Sequence, residues 1–157
     1  MESFEKNYNR ALRFLSFRLR SEKEIRNYFQ KHKVELSVAE KIIEKLKKYR
    51  FLNDEDFAKL WIESRLKHKL RSISLIRREL LLKGIDKEII DVQISNFQFS
   101  ISNELENAQK LIRKRIERYK DLPRQEIYQK LGRFLASKGF NWDTIKKSID
   151  EVLEEKV

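Results

Sequence analysis

Apolar residues recur at intervals of three and four along most of the chain, which is the spacing of one face of an α-helix. One such stretch contains Val38, Ile42 and Leu46, and another contains Ile145 and Ile149. No long stretch alternates apolar and polar residues with a period of two, as a half-buried strand would. The pattern therefore predicts an all-α protein without strands.

Two serines mark predicted helix starts. Ser21 is followed by Glu24, and Ser37 by Glu40, so each hydroxyl precedes a carboxylate by three residues. In this spacing the hydroxyl and the carboxylate can each accept a hydrogen bond from a backbone N–H group of the first turn. We expect a capping box at both places.

Glycines mark predicted helix ends. Gly84 and Gly139 each follow a lysine and precede an apolar residue, which is typical of a helix that ends in the left-handed conformation. In the first third of the chain, His32 is expected at the equivalent position. Each of these helix ends belongs to the second predicted helix of a group. The first predicted helix of each group carries an alanine and, seven residues later, an arginine: Ala11 and Arg18, Ala58 and Arg65, Ala108 and Arg115.

The interval between these alanines is about the length of a helical repeat with two or three helices. We therefore predict three tandem three-helix modules, at residues 1–52, 53–100 and 101–157, in an elongated, curved body. A unit of this size is small for an independent core, so neighbouring modules should share buried surface.

Composition excludes several kinds of chemistry. The chain has no cysteine, two histidines and three glycines among 157 residues. Disulfides, thiolate metal sites and cysteine nucleophiles are therefore impossible, and a glycine-rich phosphate loop is not present. No nucleophile, base and orienting group occur together, so we expect a protein that is not an enzyme and needs no cofactor. No signal peptide or membrane span is seen, which favours a cytoplasmic protein.

Charge indicates an anionic partner. Lysine and arginine number 36 against 25 acidic residues, a formal net charge of +11. Residues 65–78 carry six positive charges and no acid, and residues 10–33 and 110–120 are also strongly basic. If equivalent helices of the three modules face the same way, their cations would form one surface that follows a polyanion. The alternative is that these are ordinary solvated helix faces.

Acidic and aromatic residues offer weaker candidates. Asp54, Glu55 and Asp56 could hold Mg²⁺, but adjacent carboxylates in a first helical turn point in different directions and also complement the helix dipole. Most aromatic residues lie beside aliphatic ones at helical spacing and are expected in the core. These are Phe14, Phe29, Phe51, Phe57, Trp61, Phe134 and Trp142, whereas Tyr8, Phe17 and Tyr28 are possible surface platforms for base stacking.

Three blocks, in order, resemble the RecX family of regulatory proteins. They are LSFRLRSEKEI at residues 15–25, FLNDEDFAKLWIESR at 51–65 and IRRELLLKGI at 76–85. The resemblance covers about residues 11–153 and is weakest in the third module. Ser72 stands where the family usually has glycine, and Asn53 where it usually has aspartate.

The resemblance implies a modulator of the RecA recombinase. Similar proteins bind RecA filaments on single-stranded DNA and restrain filament growth, ATP hydrolysis and strand exchange, with roles in DNA recombination and repair. We expect a monomer whose partners are the filament and single-stranded DNA, with double-stranded DNA as a further candidate and no membrane. The candidate attachment residues are Arg18, Arg20 and Arg65, from the family blocks, and Lys67, Lys69, Arg71, Arg77 and Arg78, from charge clustering.

Two other interpretations stay open. In one, the second helix of a module enters a DNA groove in the manner of a helix-turn-helix protein. In the other, the acidic turn makes a metal-dependent nuclease. For Arg18 and Arg65 a structural role is a further alternative, in which the guanidinium pairs with a carboxylate such as Glu79.

Overall fold

The regular structure is helical. A computed structural model describes residues 3–97 and 104–155, with the backbone alone at residues 68 and 69. Within these ranges there are helices and no strands, which confirms the all-α prediction. The α-helices there are α1 Phe4–Phe17, α2 Glu22–Lys31, α3 Leu36–Lys48, α4 Asp54–Ser64, α5 Ile73–Leu82, α6 Lys87–Asn96, α7 Glu104–Arg115, α8 Arg124–Ser137 and α9 Trp142–Glu155.

Two short turns extend helices of this set. A π-helical turn over Arg65–Lys69 follows α4, and a 3₁₀ turn over Ile116–Tyr119 follows α7. None of the described helices combines the length and the apolar character that crossing a bilayer requires.

One of the two predicted capping boxes is present. The hydroxyl of Ser21 accepts a hydrogen bond from the backbone N–H of Glu24, and the Glu24 carboxylate accepts one from the backbone N–H of Ser21. The prediction at Ser37 is wrong, because α3 begins earlier and its N-cap is Glu35. The Ser37 hydroxyl instead lies 3.2 Å from a Glu35 carboxylate oxygen.

The described helices are grouped by their contacts into two compact units. Unit 1 consists of Met1–Trp61 and Glu79–Gln93, and unit 2 of Ile62–Arg78 and Ile94–Val157. Helices α4, α5 and α6 therefore each contribute residues to both units. The predicted module boundary at residue 100 lies outside the described residues.

The core of unit 1 is built on α1, α2 and α3. Ile25, Phe29, Ile42 and Leu46 are essentially inaccessible to solvent. Tyr28 stacks on Phe14 at the edge of this core, with 4.5 Å between ring centroids. Because buried apolar side chains contribute about 1.5–3 kcal/mol each, this small cluster is the main source of stability in α1–α3.

The core of unit 2 is built on α7, α8 and α9. It contains Ala108, Ile112, Leu131, Leu135 and Ile149, all fully buried. Leu70, which follows the π-helical turn and has a positive φ of 50°, packs against the same cluster.

A serine hydroxyl makes the same double contact in both units. In unit 1, Ser21 caps α2 and its Oγ donates a hydrogen bond to the carbonyl of Lys83, 2.7 Å away. In unit 2, Ser72 caps α5 by accepting from the N–H of Leu75, and its Oγ donates to the carbonyl of Gly139. We call this arrangement the serine joint, because one hydroxyl starts a helix and binds the end of another.

A carboxylate accompanies each serine joint. The N–H of Glu22, next to Ser21, donates to Oδ1 of Asp54 at 2.8 Å. The N–H of Ile73, next to Ser72, donates to Oε1 of Glu104 at 2.7 Å. Both acceptors lie in the first turn of an α-helix two described helices further along the chain, α4 for Ser21 and α7 for Ser72. The joint therefore repeats with the sequence, which supports the view that the chain is built from equivalent helix groups.

The glycines of the serine joints have left-handed backbones. Gly84 has φ 80° and Gly139 has φ 88°, and a Cβ at either would collide with the helix start that contacts it. In the first helix group the equivalent residue is Lys33, with φ 56°, and not His32, whose φ is −90°. The residue after each of the three closes the same hydrogen bond to a carbonyl five positions earlier.

Candidate functional site

Arg18 and Arg20 lie on either side of Leu19 in the turn that leads from α1 into α2. The guanidinium of Arg18 forms a two-pronged contact with the carboxylate of Glu24 and donates to the carbonyl of Leu19 at 2.7 Å. Its side chain is still 44% exposed. Arg18 therefore pairs with a carboxylate, as the structural alternative expected, and the carboxylate is that of Glu24.

Arg20 is held more tightly. Its guanidinium lies 3.8 Å from the centroid of the Phe14 ring, and its Nε donates to the Phe14 carbonyl at 3.4 Å. Burial, followed by the positive charge of Arg18, lowers the pKa of Arg20. A side chain only 15% exposed has little surface to offer a partner, so Arg20 mainly fixes the turn.

The pKa of Glu24 reflects these contacts. Burial works to raise it, but hydrogen bonds from the Arg18 guanidinium and the Ser21 N–H outweigh burial and lower the pKa. The carboxylate thus stays ionised and holds two arginines and a helix start together.

The basic segment after α4 begins with the π-helical turn. Insertions of this kind widen a helix locally and are frequent at functional sites. Within it, Lys67 is exposed and pairs with Glu63 at 3.0 Å, a surface ion pair one helical turn apart. Arg65 is half-buried and donates to the hydroxyl of Ser64 at 3.2 Å. The side chain of Lys69 lies outside the described residues.

The remaining candidates lie at and within α5. Arg71 and Arg77 are partly buried and each has interaction partners. Arg78 is exposed, and it forms no hydrogen bond or ion pair with any residue in the described part of the chain. Lys67 and Arg78 are therefore the candidates in unit 2 with the most accessible charge, and the joining of all eight cations into one surface stays a prediction.

The recurring arginine does not have a recurring environment. Arg18 pairs with Glu24, Arg65 contacts Ser64, and Arg115 lies 3.7 Å from the centroid of the Phe134 ring. Sequence spacing alone cannot show the contacts of Arg18 and Arg115, because Glu24 and Phe134 lie on other helices, α2 and α8.

Arg26 is a paired cation that the charge count did not distinguish. It binds the carboxylates of Glu22 and Glu40, and Lys47 also reaches Glu22, at 2.9 Å. Hydrogen bonds to Glu40 and Glu22 raise the pKa of Arg26 further. The spacing of four residues between Glu22 and Arg26 was the available signal for part of this network.

The acidic turn has structural contacts. Asp54 accepts the hydrogen bond from Glu22, and Asp56 lies 3.5 Å from Arg50. The pKa of Asp54 is raised overall. Burial is the main cause and the nearby charge of Glu22 adds to it, whereas the hydrogen bond from the Glu22 N–H acts to lower the pKa. Within the described residues no three histidine, cysteine or acidic side chains come together in a way that could hold a metal ion.

Two aromatic residues expected in the core are exposed. Trp142 is 60% exposed and Phe51 49% exposed, whereas Phe29 and Phe57 are buried as predicted. Of the possible platforms, Phe17 is 72% exposed, and Tyr28 is occupied by its stack on Phe14.

Comparison with known proteins identifies the family. Three family models match in chain order: the first three-helix domain of RecX at residues 8–46, the second at 53–92 and the third at 102–149. The chain belongs to the RecX family. The match over the third domain shows that the part of the sequence least like the RecX blocks belongs to the same architecture.

Curated relatives agree with this assignment. The chain is 35% identical over 150 residues to the regulatory protein RecX of Bacillus velezensis and 36% identical over 150 residues to that of Listeria welshimeri. Each alignment includes 96% of this chain and 56% or 55% of the relative. The chain therefore spans little more than half the length of these RecX proteins.

Solved RecX structures share the fold. The crystal structure of RecX from Lactobacillus salivarius superposes with a TM-score of 0.76 at 26% identity, covering 94% of this chain and 95% of that one. A second crystal structure of a regulatory protein RecX gives 0.79 at 27% identity, covering 94% and 73%. The three-helix domain organisation of the RecX family is thus also the organisation of this chain.

Two departures from the RecX pattern have clear structural roles. Ser72, where the pattern has glycine, caps α5 and completes a serine joint. Asn53, where the pattern has aspartate, accepts a hydrogen bond from the N–H of Asp56 at 3.0 Å and so caps α4. Both substitutions preserve the helix starts.

Proposed function

We propose that the protein is a non-enzymatic regulator that binds RecA filaments on single-stranded DNA and inhibits filament growth, ATP hydrolysis and strand exchange. The observation that supports this most directly is the match of all three RecX domains in order. The relatives are named regulatory proteins, which fits a binding role better than a catalytic one.

The charge of the chain supports the same proposal. A protein with a net charge of +11 is attracted to polyanions, and both DNA phosphates and acidic protein surfaces qualify. Exposed cations such as Lys67 and Arg78 supply contacts that cost little to desolvate. Many weak contacts distributed along a filament would sum to a useful affinity.

The proposal is tested by reversing two accessible charges, Lys67→Glu with Arg78→Glu. Each phosphate that is no longer neutralised should weaken binding about fivefold at 0.1 M salt, because single-strand affinity falls with a slope of about 0.7 per phosphate. The matched control is Lys41→Glu with Lys87→Glu, since both lysines are exposed and lie outside the basic clusters. Inhibition of RecA ATP hydrolysis on single-stranded DNA is the measurement.

We expect the first double variant to inhibit weakly and the control to inhibit almost normally, with unchanged helicity in both. Equal inhibition by both variants would mean that Lys67 and Arg78 do not attach the protein. Absence of inhibition by the wild-type chain would overturn the proposed function itself. Sequence preference on bare duplex DNA would instead favour the helix-turn-helix interpretation.

A further inference from the structure

An open apolar groove lies between α8 and α9 of unit 2. Its volume is about 450 Å³, within the range of about 300–1,000 Å³ of pockets that hold small organic groups. The walls are mostly apolar and come from two helices. The lining residues are Tyr128, Gln129, Gly132, Arg133, Ala136 and Trp142.

Trp142 forms the accessible aromatic surface of this groove. Its side chain is 60% exposed, although it stands in the first turn of a well-packed helix. Tyr128 meets the indole edge to face, with centroids 6.3 Å apart and an interplanar angle of 66°. An indole supported by a second ring and open to solvent is a surface on which another planar group can stack.

Small residues keep the groove open. The small residues are Gly132 and Ala136, which follow Tyr128 on α8 at intervals of four and line the groove with it. A Cβ built at Gly132 would lie 3.9 Å from the Trp142 ring, which is ordinary contact, so glycine is not needed there to avoid a clash. The missing side chain instead leaves space beside the indole.

The charges around the groove are mainly positive. Arg133 lines it, and Lys146 follows Trp142 by one helical turn. Burial raises the pKa of Tyr128, and the positive charge of Arg124 acts in the opposite direction. Among residues 3–97 and 104–155, no ion-pair or hydrogen-bond partner is found for Arg133 or Lys146. The negative charge of Asp150 also contributes to the raised pKa of Tyr128.

We propose that this groove binds a base of single-stranded DNA, which stacks on Trp142 while Arg133 and Lys146 contact the neighbouring phosphates. Aromatic side chains beside cations are the usual means of binding single strands without sequence preference, because every base has a π-face. An apolar protein segment would not need the unpaired cations. This inference rests on the proposed function in one respect, which is the choice of single-stranded DNA as the ligand.

The experiment follows tryptophan fluorescence of the whole chain during titration with a 12-nucleotide oligothymidine, and with an abasic oligonucleotide of the same length. We expect quenching by oligothymidine and little by the abasic strand. Trp142→Ala should remove the quenching. With binding measured by the fluorescence anisotropy of a labelled oligothymidine, Trp142→Ala should raise the Kd about 5- to 100-fold, while Trp142→Phe should retain most of the affinity. The control is Leu82→Ala, another exposed apolar side chain, at 71% exposure.

A second variant leaves the indole in place. Ala136→Leu should fill part of the groove and weaken binding of oligothymidine, with unchanged binding of the abasic strand. Normal affinity in both Trp142→Ala and Ala136→Leu, or equal affinity for the two strands, would overturn the site. If wild-type chain still inhibits RecA in that case, the proposed function stands. If bases quench Trp142 but RecA is not inhibited, only the proposed function fails.

Discussion

Gly139 shows how one residue can be constrained by two effects. Its φ of 88° disfavours every other residue, and a Cβ there would run into Leu75 and the hydroxyl of Ser72. Lys33 has the same role at a helix end with φ 56°, but it carries a side chain. The difference between the two positions is close contact with a helix start.

We therefore expect Gly139→Ala to lower the free energy of unfolding by about 2–4 kcal/mol, since strain and overlap both act. Lys33→Gly is the matched control, and it should be neutral or stabilising by up to about 1 kcal/mol because the left-handed strain is relieved. Urea denaturation measures both. A loss from Gly139→Ala of no more than about 1 kcal/mol, the size expected from left-handed strain alone, would show that the close contact is unimportant.

Glu24 should make the fold sensitive to acid. A carboxylate whose pKa is lower in the folded state stabilises the fold above its unfolded pKa of about 4.3. That contribution is lost as the pH falls through the lower, folded-state pKa. Glu24→Gln should thus reduce stability by about 1–2 kcal/mol at pH 7, with the loss fading below about pH 4.

Thermal unfolding across pH 2.5–7 measures this effect. The control is Glu44→Gln, because Glu44 is exposed on α3. A destabilisation by Glu24→Gln that is independent of pH would mean that the loss comes from packing and not from charge.

At the scale of elements, the serine joint combines a helix start with the attachment of another helix. Ser72 is 2% exposed and makes hydrogen bonds on both sides of its hydroxyl. Removing it leaves the partly buried N–H of Leu75 and the partly buried carbonyl of Gly139 without their partner.

Ser72→Ala should therefore cost about 2–3 kcal/mol of unfolding free energy, whereas Ser37→Ala should cost less than about 0.5 kcal/mol. Ser37 is an exposed serine near the start of α3, and it caps no helix. Chemical denaturation distinguishes the two. Equal losses of unfolding free energy would show that the two hydrogen bonds of Ser72 contribute no more stability than the exposed hydroxyl of Ser37.

Sequence reasoning recovered the helices and the Ser21 capping box because both depend on residues close together in the chain. It failed at Ser37, since a capping box and a serine within a first turn look alike without the backbone. It placed Trp142 in the core, because helical spacing shows which face is apolar and not whether another helix covers that face. The pairing of Arg18 and Arg26 likewise depends on tertiary contacts.

For the whole molecule, charge should govern association. We expect the affinity for single-stranded DNA to fall with salt, with a slope of log K against log salt steeper than about −2, if at least three phosphates are neutralised. The double variant Lys67→Glu with Arg78→Glu should have a slope shallower by about 1.4. Fluorescence anisotropy from 50 to 300 mM salt measures it, and a slope near zero would contradict an electrostatic attachment.

The serine joint also has a consequence for inheritance. Aspartate is as good as serine at starting a helix, but it has no proton to donate to the carbonyl at the far end of the contact. The substitution Ser72→Asp would preserve the start of α5 but remove the hydrogen bond to the carbonyl of Gly139. In this chain the hydroxyl of Ser72 and the backbone of Gly139 work as a pair, so an exchange of RecX domains should move both residues together.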